Sequence, residues 1–351
     1  MKPPILQTAW HNRVFRPNGG RGGWHETFSV ACLAPDGQRA LWIDFTLARR
    51  GADELAEVSV VWVGGPDVAA RRLQQRFPSD RVGQDPERAG VGVADCILAE
   101  GASHGRVADG DGALCWRLTL PTDQAPYCPL PAPSGLVGRW LRPQWCAPVL
   151  FGVAAGEVEL WHGHGNHTPV TRTSLDGWQV VQTHRWGGGR SPSYAMLVAS
   201  GAASRPDVGV PGPAPGPPRL VAVALPWGVG PWGHRLRAVG RLWRGDGSQL
   251  GFDGWRSLVG GSSQAHAAAW AATVPGHGGE LRWRVDLPPS VGEGGEVPFS
   301  SDRRWVTHAA GVQVDLRAAG QSWEDGGERL QLGQALCEVV APATAGADAS
   351  A

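Results

Sequence analysis

His184 and Trp186 stand two apart in the stretch DGWQVVQTHRW, residues 176–186. On an extended strand both side chains leave the same face, and Trp178 has the parity to join them if the strand runs unbroken. An imidazole beside indole rings can be a proton donor facing an apolar compound. It can equally be a core histidine that donates to a backbone carbonyl. An early carboxylate favours the first reading: Glu26 in WHETF lies beside aromatic residues, and Asp44 in LWIDF occupies a similar place in the paired strand. A carboxylate set in apolar strand sequence either faces solvent or needs a buried partner. Pointing inward, Glu26 would keep its proton to higher pH through burial and could donate it near neutrality.

Other motifs support weaker chemistry. In WHGHGNHT (161–168), His162 and His164 alternate along a strand and His167 could return across a turn. Three imidazoles with an open fourth position would suit zinc, though the same run reads as a polar turn, and no metal is assigned. GASHG (101–105) matches the nucleophile-elbow pattern around Ser103, but RVADGDGA follows it, which is turn where that chemistry needs a helix. GVGPWG (228–233) matches a dinucleotide fingerprint without the strand–helix unit that would present a pyrophosphate.

The elements that must position these residues are mostly strands. Phe28, Val30 and Cys32 alternate before a PDG turn, and Leu41, Ile43, Phe45 and Leu47 alternate after it, which predicts a hairpin. ELRWRVDL places Leu281, Trp283, Val285 and Leu287 on one face, with Arg282, Arg284 and Asp286 on the other. Helical periodicity is confined to AARRLQQRF (69–77), read as one short helix. The pattern predicts an all-β chain of barrels or sandwiches with at most one or two short helices. SRPDVGVPGPAPGPP is the clearest boundary, because its prolines cannot join a sheet. The expected division is a first β-domain over 1–204, a linker over 205–218, a second β-domain over 219–342 and a disordered tail over 343–351.

Composition narrows the partners. Among 351 residues, 32 basic and 32 acidic side chains balance, which argues against nucleic-acid binding through a broad basic surface. The 18 tryptophans imply broad aromatic surfaces, either core or the walls of a cavity for an apolar ligand. Some of them could serve an interface, and the oligomeric state stays open. Six cysteines show no paired spacing and read as free thiols of a reducing compartment. The opening MKPPILQTAWHNR lacks a continuous apolar core, and no run reaches the ~20 apolar residues of a membrane span. A soluble bacterial, cytoplasmic protein is expected, with any membrane contact peripheral.

HETFSVACLAPDGQRALWIDFTL resembles the N-terminal hairpin of the carotenoid hydratase and tocopherol cyclase-like superfamily. LDGWQVVQTHRWG is similar to its glycine–aromatic lead into a His-x-Trp-Gly strand, and YAMLVAS to the strand that pairs with it. The resemblance covers roughly residues 20–200. It implies two lipocalin-like antiparallel β-barrels in tandem, an apolar cavity, and hydration, cyclisation or isomerisation of an isoprenoid or polyene substrate without a cofactor. It implies catalytic roles for His184 and Glu26, with Trp186, Trp178, Trp42, Asp44 and Tyr194 about the substrate. The hydratases carry Tyr-x-Asp downstream of His-x-Trp; here Tyr194 comes sooner and Met196, not aspartate, follows two residues on. A non-catalytic carrier of an apolar molecule is the alternative.

Overall fold

The computed structural model describes residues 23–65, 70–83, 90–110, 112–129, 144–162, 171–188, 194–201, 217–230, 233–253, 255–266, 269–276, 279–286, 295–296, 302–309, 311–319, 321–323 and 327–342. These form two compact units, one within Met1–Cys128 and Pro143–Arg190, the other within Pro129–Arg142 and Ser191–Ala351.

The first unit opens with strands β1 (Trp24–Leu33), β2 (Ala40–Arg50), β3 (Asp53–Val63) and β4 (Arg71–Pro78). A 3-10 turn over Ser79–Arg81 leads to β5 (Val82–Gly83), β6 (Gly90–Val93), β7 (Cys96–Ala99), β8 (Ala102–Asp109) and β9 (Gly112–Thr119). The unit ends with β10 (Gln144–His162), β11 (Thr171–Ser174) and β12 (Trp178–Gly188). They form one antiparallel sheet ordered β4-β3-β2-β1-β12-β10-β9-β8-β7-β6-β5, with β11 on β10. β4 returns to lie against β8, so the sheet curls into a nearly closed, lipocalin-like barrel.

Alternation decides what fills it. Phe28, Val30, Cys32, Leu41, Ile43, Phe45, Leu47, Val58, Val60, Leu114, Leu118 and Val180 are all buried in one core cluster. The β1–β2 hairpin is the one the PDG turn predicts: Gly37 takes φ 69, which favours glycine, and Ala34 N–H donates to Arg39 O at 2.9 Å.

The second unit contains β13 (Tyr194–Ser200), β14 (Arg219–Gly230), β15 (Gly233–Trp243) and β16 (Gln249–Phe252), then helix α1 (Trp255–Gly260). After it come β17 (Ser262–His266), β18 (Ala269–Gly276), β19 (Gly279–Asp286) and β20 (Gly295–Glu296). β21 (Asp302–Ala309), β22 (Val312–Ala318), β23 (Glu328–Leu332) and β24 (Gln334–Pro342) complete it. One sheet runs β16-β15-β14-β13-β24-β21-β20 and the other β17-β18-β19-β22-β23. Leu197, Ala222, Trp270, Trp283, Val314 and Cys337 from both sheets share one core. In β19 the expected alternation holds, with Leu281, Trp283 and Val285 buried and Arg282, Arg284 and Asp286 exposed.

Two expectations change. The run read as a helix over 69–77 is a strand from residue 71 onward: β4 occupies Arg71–Pro78, with Leu73 opposite Val60 and Phe77 packed on the core. The spacing of four between Leu73 and Phe77 suits a helix and a strand equally, and pairing to β3 settles it. Residues 194–200, assigned to the first half from the sequence, belong to the second unit, because β13 bonds to β14 and β24. GVGPWG lies where antiparallel β14 and β15 meet, with no helix after it. The linker over 205–216 and the tail over 343–351 lie outside the described residues. Among the described residues no helix is long and apolar enough to cross a membrane.

Gly156 sits where β10 passes from pairing with β12 to pairing with β11. Its φ is +132, and a Cβ there would meet Arg117 O at 2.0 Å. Gly156→Ala should therefore lower the unfolding free energy by about 2–3 kcal/mol in chemical denaturation. Buried thiols add a pH dependence. Burial pushes Cys32 from 9.0 up to about 12 and Cys96 up to about 11. A thiol raised in this way stabilises the folded chain fully below its unfolded pKa. Unfolding free energy measured across alkaline buffers should hold up to pH 9 and then fall as pH rises through 11 and 12.

Candidate functional site

Two neighbouring strands build the site. Phe28 of β1 is opposite His184 of β12, and Glu26 is opposite Trp186, so Glu26 meets His184 on the diagonal of one face. That face is the barrel interior, since Phe28, Val30 and Val180 share its parity and lie in the core. Glu26 Oε1 and His184 Nε2 are 2.7 Å apart, and both side chains are fully buried. Aromatic rings flank the imidazole. Phe28 stacks on it with centroids 4.0 Å apart and an angle of 11°, and half-buried Trp186 lies at 4.4 Å and 34°.

This arrangement can hold a proton between a carboxylate and an imidazole in surroundings with little water to level their charge. Neither group could be buried cheaply alone; together each satisfies the other. Cys146 of β10 lies on the far side of His184 in the same row. The resulting row, Cys146–His184–Phe28–Phe45, crosses four strands.

The other expected residues scatter. Trp178 shares the interior face but stands six residues from His184, roughly 20 Å along the strand. It stacks on Trp62 at 6.0 Å and 12°, with Arg39 Cζ 5.5 Å from its ring centre. Asp44 and Trp42 do not join Glu26. Phe45 and Leu47 take the inward positions of β2, so Asp44 leaves the opposite face, where Ser29 is its strand partner. There it accepts from Ser29 Oγ at 2.5 Å, Trp42 Nε1 at 3.2 Å and Ser59 Oγ at 3.4 Å. Tyr194 is buried in the second unit, opposite Val340 of β24.

Ser103 has a structural role: it is fully buried in β8, accepts from Trp116 Nε1 at 2.9 Å and donates to Ile97 O at 3.2 Å. His162 ends β10 and its side chain is not described, while His164 and His167 lie outside the described residues. Among the described residues no three His, Cys, Asp or Glu side chains are grouped to hold a metal ion. Sequence reasoning assigned Phe28 only to the hairpin core and missed its stacking on His184. Its even spacing from Glu26 was the available signal.

No family model matches the chain and no curated protein matches it. Among solved structures, the chain is similar to kievitone hydratase from Nectria haematococca with a TM-score of 0.50 and 8% identity, over 93% of this chain and 91% of that one. An AttH from Nitrosomonas europaea matches with a TM-score of 0.49 and 14% identity, over 93% and 97%. CghA bound to Sch210972 matches with a TM-score of 0.49 and 14% identity, over 97% and 95%. The chain has the fold of kievitone hydratase, an all-β lipocalin-like architecture along nearly its whole length.

Removing one member of the buried pair strands the other. Glu26→Ala should cost about 3 kcal/mol of unfolding free energy, against a smaller loss for Glu26→Gln, whose amide can still bond the ring. Equal losses in urea denaturation would show that neither the volume of the amide nor its hydrogen bond replaces the carboxylate, and that the charge of Glu26 carries the whole effect.

Proposed function

We propose that the chain is a cofactor-independent enzyme that protonates an apolar isoprenoid or polyene-type substrate and so starts its hydration, cyclisation or isomerisation. The observation that carries this reading is the Glu26–His184 contact of 2.7 Å, wholly buried between Phe28 and Trp186. A hydrophobic core gains nothing from such a pair that apolar residues of similar volume would not supply, so a proton-transfer role accounts for it better than packing does. Kievitone hydratase, whose fold the chain shares, is by its name a hydratase, and the same class of chemistry suits this pair.

In the proposed step the carboxylate of Glu26 holds the imidazolium of His184 through Nε2. The opposite ring nitrogen, Nδ1, delivers its proton to a substrate double bond. The neutral imidazole left behind keeps its bond to Glu26 and can take a proton back, from attacking water in a hydration or from the carbon skeleton in an isomerisation. The face of Trp186 would stabilise the intervening carbocation by about 0.5–2 kcal/mol. Trp178, at the far end of β12, belongs to the frame and has no part in the step.

The test uses a lipid extract of the source cells, incubated with wild type and with His184→Gln and followed by mass spectrometry of extract and retained compound. An apolar compound altered by wild type and unaltered by a folded His184→Gln protein, a loss of at least ~100-fold, is the expected result. A gain of one water would identify hydration, and an unchanged mass isomerisation or cyclisation. A compound retained unchanged by both proteins would make the chain a carrier. Turnover by His184→Gln would remove His184 from the mechanism.

A further inference from the structure

A second reactive pair lies on the face of β10 that adjoins His184. Tyr127 and Ala147 exchange both backbone hydrogen bonds, at 2.9 and 2.8 Å, as an isolated antiparallel bridge. One step along each strand, Cys128 and Cys146 stand opposite each other at a non-hydrogen-bonded position. Such positions bring Cα atoms to about 4.5 Å and side chains to their closest, within the range a disulfide spans. Parity agrees. Tyr127 packs edge-on against Trp145 on the other face, with centroids 6.3 Å apart and an angle of 75°. That leaves Cys128 and Cys146 on the face of His184, the strand partner of Cys146.

Neither residue is in a disulfide; Cys146 is buried and Cys128 half-buried. They already interact: burial, and then a side-chain hydrogen bond with Cys128, holds the Cys146 thiol well above its ordinary range.

We propose that Cys128 and Cys146 form a redox-active dithiol that a peroxide converts to a disulfide beside His184. The half-exposed Cys128 reacts first. Its thiolate attacks one peroxide oxygen, the O–O bond breaks, and the departing oxygen takes up protons as water, leaving a sulfenic acid. The Cys146 sulfur then displaces hydroxide from the Cys128 sulfur, and its own proton leaves with that hydroxide as a second water. Two thiols are oxidised and one peroxide is reduced to two waters. Because burial disfavours the Cys146 thiolate, the second step quickens as pH rises. None of this depends on the proton-transfer role of Glu26 and His184.

The experiment treats the native full-length chain with hydrogen peroxide, blocks free thiols with N-ethylmaleimide before and after unfolding, and maps the peptides by mass spectrometry. The expected product is a Cys128–Cys146 linked peptide, lighter by two hydrogens and reopened by dithiothreitol. Cys32, Cys96 and Cys337 should remain free to react once the chain is unfolded. Cys128→Ser should leave Cys146 unoxidised under the same treatment. A Cys128 that over-oxidises while Cys146 stays free, a Cys128 bridge to another cysteine, or no reaction at either thiol would each overturn the proposal.

Discussion

A charged or proton-sharing pair in the middle of an apolar barrel constrains everything around it. Glu26 and His184 can be fully buried only because each gives the other a hydrogen-bond partner. That requires β1 and β12 to be adjacent, antiparallel and in one register, although the two residues lie far apart in the chain. The rest of the first unit serves this closure: β2 to β4 extend the sheet on one side, β10 and β9 on the other, and β4 comes round to β8. Phe28 and Trp186 complete the immediate surroundings from the same two strands, so four side chains on one face define the site.

Over β1, β2, β3 and β12 the other face of the sheet is also buried, and much of it is polar. Thr27, Ser29, Asp44, Thr46, Glu57, Ser59, Thr183 and Arg185 are all nearly inaccessible. Several of these groups are bonded: Asp44 accepts from Ser29, Ser59 and Trp42, Thr27 accepts from Arg185, and Glu57 accepts from Gln74 at 2.5 Å and Arg76 at 3.0 Å. Over β1, β2, β3 and β12 the sheet is therefore buried on both sides and yet chemically different on each. The inner side holds an acid–base pair among rings, and the outer side a hydroxyl- and carboxylate-rich network. A buried carboxylate in this chain thus has two quite different fates, and only strand parity separates them.

That separation sets the limit of what the residues disclose on their own. Alternation within one segment is local, so the β1–β2 hairpin, the burial of β19 and the all-β class are legible from types and spacing. Glu26 and His184 could each be singled out in advance, because each stood out in its own strand and the resemblance gave both a role, but their contact could not be read from the sequence. Asp44 failed because its likeness to Glu26 is one of composition, whereas Phe45 and Leu47 decide which way it points. Residues 71–78 failed because leucine and phenylalanine four apart satisfy two periods at once. Cys146 beside His184 was out of reach, since pairing between β10 and β12 includes register shifts between Cys146 and Val149 and between Val149 and Gly152. Bulges of this kind break the counting that would carry a register from one strand to the next.

The two-sided burial of β1 has an evolutionary reading. Moving this strand by one residue would carry Glu26 out of the ring-lined interior and Ser29 away from Asp44 at the same moment. Both networks would be lost together, so no gradual route leads from one register to the next. Even and odd positions of β1 should consequently diverge as two independent sets among descendants of this chain. The even set answers to the Glu26–His184 pair and to the apolar core around it. The odd set answers only to its partners in the neighbouring strands, and should persist through changes of activity as the more lasting mark of common ancestry.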